Sequence, residues 1–281
     1  MTLREIRQEA KVALNGNWGM AISGLVLSGL MMGAAIYFPL IVFTALIFLN
    51  QSWLSGVLLI AGMLAICLLF LMPLATGLYW MFLNFVDGKK QSMGALFDAF
   101  RNNYWKNVGT LALQSLFLAL WTSLFGLIDG VFGALFGELV YFIVSVITGV
   151  ILIVIVFDYV LTVDLLKDHP EWKAMEIIRE SRRLMKGKKW QFFLLGLSFI
   201  GWYIPGIVLS LVGMFSLVFN VLAESDAMVL FSGGLIFLSM LYLLGIGLYV
   251  MPYLWTAYAV FYRKLKPSSD DEMISEVAGF E

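Results

Sequence analysis

Residues 181–202 read SRRLMKGKKWQFFLLGLSFIGW. Arg182, Arg183, Lys186, Lys188 and Lys189 crowd the first half, and no charged residue follows them until Glu224. An α-helix rises 1.5 Å per residue, so about 20 apolar residues cross the roughly 30 Å of hydrocarbon in a bilayer. The run that begins at Trp190 is longer than that. It shows no apolar/polar alternation, which argues against a barrel strand. The stretch reads as a membrane helix with a basic cluster at its mouth.

The rest of the chain repeats this pattern. Apolar residues make up 61% of the sequence and charged residues only 13%. A soluble domain carries about 25% charged residues, so the excess apolar surface must face lipid. Polar breaks leave six apolar segments, near 18–49, 53–85, 108–128, 132–166, 190–220 and 228–262. Every one of the 18 Lys and Arg residues lies before the first segment, between the second and third, between the fourth and fifth, or after the sixth. The three remaining loops hold only Asp129, Glu138, Glu224 and Asp226 as charges. Basic residues mark the cytoplasmic side, so both termini are expected in the cytoplasm of a multi-pass protein of the inner (cell) membrane.

The segments pair as three hairpins, and each is preceded by a stretch with helical periodicity. The apolar stripes are Leu3, Ile6, Ala10, Ala13 and Leu14; Met93, Leu96, Phe97, Phe100 and Tyr104; and Ala174, Ile177, Ile178, Ser181, Leu184 and Met185. Spacings of three and four residues put each set on one helix face. Each stretch closes on a turn with Trp: NGNWG, NNYWKN and KGKKWQ. Trp18, Trp105 and Trp190 are therefore expected at headgroup depth, anchoring amphipathic helices in the interface plane. The exits PLATGLYWMF from Pro73 and PYLWTAYAVF from Pro252 match as well. The predicted fold is all-α and polytopic: one membrane domain over 1–266, built of units near 1–88, 89–168 and 169–266, with an acidic cytoplasmic tail over 267–281. Pro73 and Pro252 are expected to kink their helices.

The stretch Ser181–Trp190, followed by LLGLSFIGW (194–202), Pro252-Tyr253 and AVFYRKL (259–265), carries a family resemblance. So does Leu-Asn-Gly-Asn-Trp-Gly (14–19) after a short charged helix. The chain resembles a family of bacterial six-helix membrane proteins catalogued as domain of unknown function 975. That resemblance implies a six-helix bacterial membrane protein and no particular activity, so no site residues are carried over from it.

Two sites stand out from the residues themselves. Arg179, Arg182, Arg183, Lys186, Lys188 and Lys189 form a patch suited to anionic lipid headgroups, each basic residue contributing about 1 kcal/mol at such a surface. The plainer reading is that they only fix topology. Asp158 lies inside the fourth apolar segment with Thr162 four residues on, on the same face. Ionisable groups at membrane depth mark ion or proton sites, or pair with a basic group; an acid near the interface is simply hydrated. Asn84 and Gln114 read as hydrogen-bonding glue between helices. Gly29 and Gly33 have the spacing that lets helices approach closely.

The inventory for catalysis is thin. His169 is the only histidine and Cys67 the only cysteine, and no nucleophile, zinc or phosphate-loop motif occurs. The expectation is a protein that is not an enzyme and needs no metal or cofactor. Its partners would be membrane lipids, anionic ones among them, and an unidentified membrane protein, with no nucleic acid. The leading reading is an accessory or organising factor of the envelope; the alternative is a small transporter or channel with a polar site near Asp158.

Overall fold

The computed structural model describes residues 2–50, 53–222 and 225–266, and these are helical, with no strand among them. α1 (Leu3–Leu14) starts on a reciprocal cap. The Thr2 hydroxyl accepts from the Glu5 amide at 3.3 Å, and the Glu5 carboxylate accepts from the Thr2 amide at 3.0 Å, which satisfies two of the orphan donors of a helix start. The hydrogen bonds to Thr2 hold the Glu5 carboxyl below its ordinary range. α2 (Trp18–Asn50) and α3 (Trp53–Ile66) make the first pair of long helices, and a π-turn at Cys67–Leu71 leads into α4 (Met72–Val86).

That π-turn is where the expected irregularity at Pro73 falls. Proline has no amide to give the carbonyl four residues earlier, here Leu69. The Tyr104 hydroxyl donates to that carbonyl instead, at 2.8 Å. Pro252 and Pro39, by contrast, lie within continuous helices.

The second linker departs from expectation. Rather than one amphipathic helix, it forms a 3-10 turn at Met93–Phe97 and a single helical turn, α5 (Asp98–Arg101). α6 (Tyr104–Phe136) then runs past the turn expected near 128–132, and α7 (Glu138–Val156) returns. Asp129 does not end the helix because its carboxylate accepts from Thr148 of α7 at 3.0 and 3.2 Å. The reversal is at Gly137, whose φ of +86° other residues rarely adopt.

A 3-10 turn at Phe157–Tyr159 precedes α8 (Thr162–Asp168) and α9 (Ala174–Met185). The fifth apolar segment is split into α10 (Lys189–Ile200) and α11 (Ile204–Leu222) around Gly201–Tyr203, and α12 (Asp226–Leu265) completes the fold. Pro205 stands in the first turn of α11, where its missing amide costs nothing. Among the described residues six helices are long and apolar enough to cross a membrane, which makes this a multi-pass membrane protein. The tail over 267–281 lies outside the described residues.

α1 and α9 do not offer their apolar faces to lipid. Ile6, Ala10 and Leu14 are fully buried where α1 packs on α12 and α4. Ile177, Ile178, Ser181 and Met185 are buried where α9 packs on α6, α8 and the 157–159 turn. The bundle itself covers the stripes. Both helices end alike: Asn15 and Asn17 bond back to Val12 and Leu14, as Lys186 and Lys188 do to Arg183 and Met185. A left-handed residue stands just before each linker Trp, namely Gly16, Asn103 and Gly187.

Packing is concentrated at the basic end. Two clusters fill it, one around Leu83, Leu165, Ile177, Leu195 and Phe261, the other around Leu74, Leu78, Met81 and Phe82. Among the described residues no buried hydrophobic side chain lies between 22 and 72, 112 and 158, or 200 and 249. Contacts at the far end use small or polar groups: Ser28, Thr148, Gly206, Gly213, Ser232 and Ser239.

Candidate functional site

The three outgoing helices converge on one arginine at the basic end. Arg263 of α12 forks onto Asp87, just past α4, with Nε and Nη2 each 2.8 Å from a carboxylate oxygen. Its other amino group pairs with Asp168 at the end of α8. The Tyr262 hydroxyl donates to the same Asp168 at 2.8 Å, and Lys266 approaches it at 3.4 Å. These ionic groups are less than a third exposed, so the bonds are charge-assisted and only partly screened. They tie residues 87, 168 and 263 into one clasp.

A second layer lies beneath it. The Trp80 indole donates to the Val163 carbonyl at 2.8 Å. Lys167 donates to the Trp80 carbonyl at 2.9 Å and also to the Asn84 side chain. Asp164 sits one turn before Lys167, fully buried, and neither carboxylate oxygen has a hydrogen-bond partner. Burying an acid without partners is costly, and such a group calls for an explanation. The Tyr79 hydroxyl faces it, and Arg263 and Lys167 are close enough to act on it through space. Next to this layer is a cavity of about 330 Å³ lined by Thr76, Tyr79, Gln114, Val163, Trp255 and Tyr258, among others. The buried carbonyl oxygen of the Gln114 side chain is also unpartnered.

The residues singled out from sequence fall in different places. Asp158 lies in the 157–159 turn and pairs with Lys189 at 2.6 Å, both side chains about a quarter exposed. Its backbone carbonyl accepts from Ser181 of α9 at 2.7 Å. Thr162 is fully buried and its hydroxyl is unpartnered. Arg182 bonds the Tyr159 hydroxyl and lies over that ring, 4.8 Å from its centre. Arg183 forks onto Glu180 at 2.7 Å, which raises the guanidinium above its ordinary value. Arg179 and Lys186 are exposed and have no acid within 4 Å among the described residues; Lys188 is half-buried and likewise unpaired. Trp105 and Trp190 are 74% and 67% exposed, whereas Trp18 stacks on Tyr249 with ring centres 5.0 Å apart.

Asn84 does join elements, bonding both Gln91 and Lys167. Gly29 and Gly33 approach no other part of the described chain closely enough to need glycine. Asp87, Asp164, Asp168 and Arg263 were not picked out from sequence. The repeat alignment was the one usable signal for the clasp, because equivalent helix exits that lie together bring their charged ends together. No cluster of potential metal ligands occurs among the described residues.

Residues 1–269 match the model of a family described as Protein of unknown function (DUF975), and the chain belongs to that family. No curated protein and no solved structure matches it.

Proposed function

We propose that this protein is a non-enzymatic organising factor of the bacterial cell envelope. It resides in the cytoplasmic membrane with both termini inside and works through lipid and protein contacts. The observation that carries this reading is the uneven packing. The basic end is a filled core with a clasp, while the far halves of the long helices keep large apolar side chains uncovered, such as Leu120, Phe215 and Leu244. A surface of that kind suits lipid or the helices of a partner. Arg179, Lys186 and Lys188 beside Trp190 suit anionic headgroups.

Three copies of one unit underlie the architecture. The matched ends of α1 and α9 support this, as does the left-handed residue before each of Trp18, Trp105 and Trp190. In-cell crosslinking followed by purification in mild detergent tests the functional reading. The expected result is a reproducible membrane-protein partner, or retained anionic lipid that is lost on neutralising Arg179, Lys186 and Lys188. A preparation with neither would overturn it.

A second reading is a small transporter or channel, and Asp164 favours it. A fully buried acid that faces Tyr79, a residue of the cavity wall, is what an ion or proton path needs. Solute or ion flux into liposomes that is abolished by Asp164→Asn would support this reading, and flux absent from the native protein would refute it.

A further inference from the structure

A second cavity, of about 350 Å³, opens at the basic end away from the apolar one, walled by Trp80, Asn84, Asp98, Asn103, Lys106 and Lys167 among others. We propose that it binds a phosphate-bearing anion. The site is separate from the exposed patch on α9 and does not depend on the organising role.

The donor balance carries the inference. Lys106 comes from α6 and Lys167 from α8, and neither has a carboxylate within 4 Å among the described residues. Lys106 donates only to the Pro170 carbonyl, while Lys167 donates to the Trp80 carbonyl and the Asn84 side chain. An ammonium group has three N–H donors, so each lysine keeps at least one for a ligand. The side-chain amides of Asn102 and Asn103, also at this cavity, make no hydrogen bond among the described residues and add further donors. Asp98 is the only acid in the wall. Two cations against one carboxylate leave the wall positively charged, and the Asn102 and Asn103 amides, which carry an acceptor as well as donors, can turn their N–H groups towards a bound anion. A phosphate ester supplies the negative charge and the acceptor oxygens that such a wall suits, and lysine suits phosphate as a point charge.

The backbone is shaped to the same end. Asn103 is the only described non-glycine residue at positive φ, at +50°. It opens α6 without capping it through its side chain, so the first amides of that helix stay free near the two lysines. The volume lies in the range of small-ligand sites and accommodates a phosphate with a glycerol- or sugar-sized substituent. Trp105, largely exposed and adjacent to Lys106 in sequence, suits headgroup depth, where either a lipid headgroup or a soluble phosphate ester can reach the site.

The test uses the full-length protein in phosphatidylcholine nanodiscs and reads thermal stability in two arms. One arm titrates glycerol 3-phosphate; the other replaces part of the phosphatidylcholine with phosphatidylglycerol. Stabilisation by glycerol 3-phosphate supports a soluble ester, and stabilisation by phosphatidylglycerol alone supports a lipid headgroup. In either case Lys106→Gln should weaken half-saturation by about tenfold, the cost of one charge-assisted hydrogen bond. Asn103→Gly keeps the left-handed backbone and removes one donor, so it should weaken binding less while leaving the fold intact. Lys186→Gln on the exposed patch should leave this binding unchanged. No stabilisation in either arm, or stabilisation that survives Lys106→Gln and Asn103→Gly, would overturn the proposal. So would equal sensitivity to Lys186→Gln.

Discussion

The basic and far ends of the molecule are made of the same helices but held together by different physics. At the basic end, side chains such as Phe82, Leu165 and Phe261 are sealed against neighbours, and Arg263 ties Asp168 to Asp87. At the far end, the described helices meet through small and hydroxyl-bearing residues and expose their large apolar ones. Burying an apolar side chain against protein gains little where lipid is equally apolar. It gains about 25 cal/mol per Å² where the alternative is water. A core is therefore useful next to the aqueous boundary and dispensable in mid-membrane, and this chain places its core accordingly.

The largest expected effect comes from Gly77→Ala. A Cβ there would sit 2.0 Å from the Leu96 carbonyl oxygen, a backbone atom that cannot rotate away. The loss is expected to reach about 3 kcal/mol, visible as a collapse of folded yield in detergent chromatography. Arg263→Ala comes next, because it strands Asp87 and Asp168. About 2–3 kcal/mol should be lost, seen as a lower midpoint in thermal unfolding. Arg263→Lys should recover only part of that, since an ammonium cannot fork onto both acids.

At the far end, Thr148→Val removes the hydroxyl that holds Asp129 and should cost only about 0.6 kcal/mol. Acidification touches α1 more lightly. The Glu5 carboxyl is held below its ordinary value by Thr2, so the cap contributes above the unfolded carboxyl's pKa. That contribution fades as pH falls through the lower folded value. Faster amide exchange in the first turn of α1 is the expected sign. Gly29→Ala should do nothing measurable, since nothing lies within 4 Å of its added carbon; a clear loss would mean that the far end is packed after all.

The long helices were legible because membrane thickness sets their length and the apolar runs are uninterrupted. Their breaks were less so. Gly126, Gly130, Gly133 and Gly137 all lie near the second far-end turn, and only Gly137 takes the left-handed conformation, which composition does not reveal. The linker stripe from Met93 to Tyr104 has helical spacing, yet it is cut by a 3-10 turn and by Asn103. The site was harder still. Asp158 is further from the helix exit in sequence than Asp164, but the 157–159 turn brings it to Lys189, while Asp164 is enclosed. Depth along a chain measures burial only while the helix is straight. The clasp depends on contacts between residues 87, 168 and 263, and no local pattern encodes those.

The division between the two ends is tested most directly by nitroxide labels at single cysteines in a Cys67→Ser background, reconstituted in bilayers and read by their relaxation with oxygen, which concentrates in lipid. Labels at Leu120, Phe215 and Leu244 should be strongly accessible, and labels at Leu165 and Leu195 should be protected. Equal protection at both sets would contradict the account.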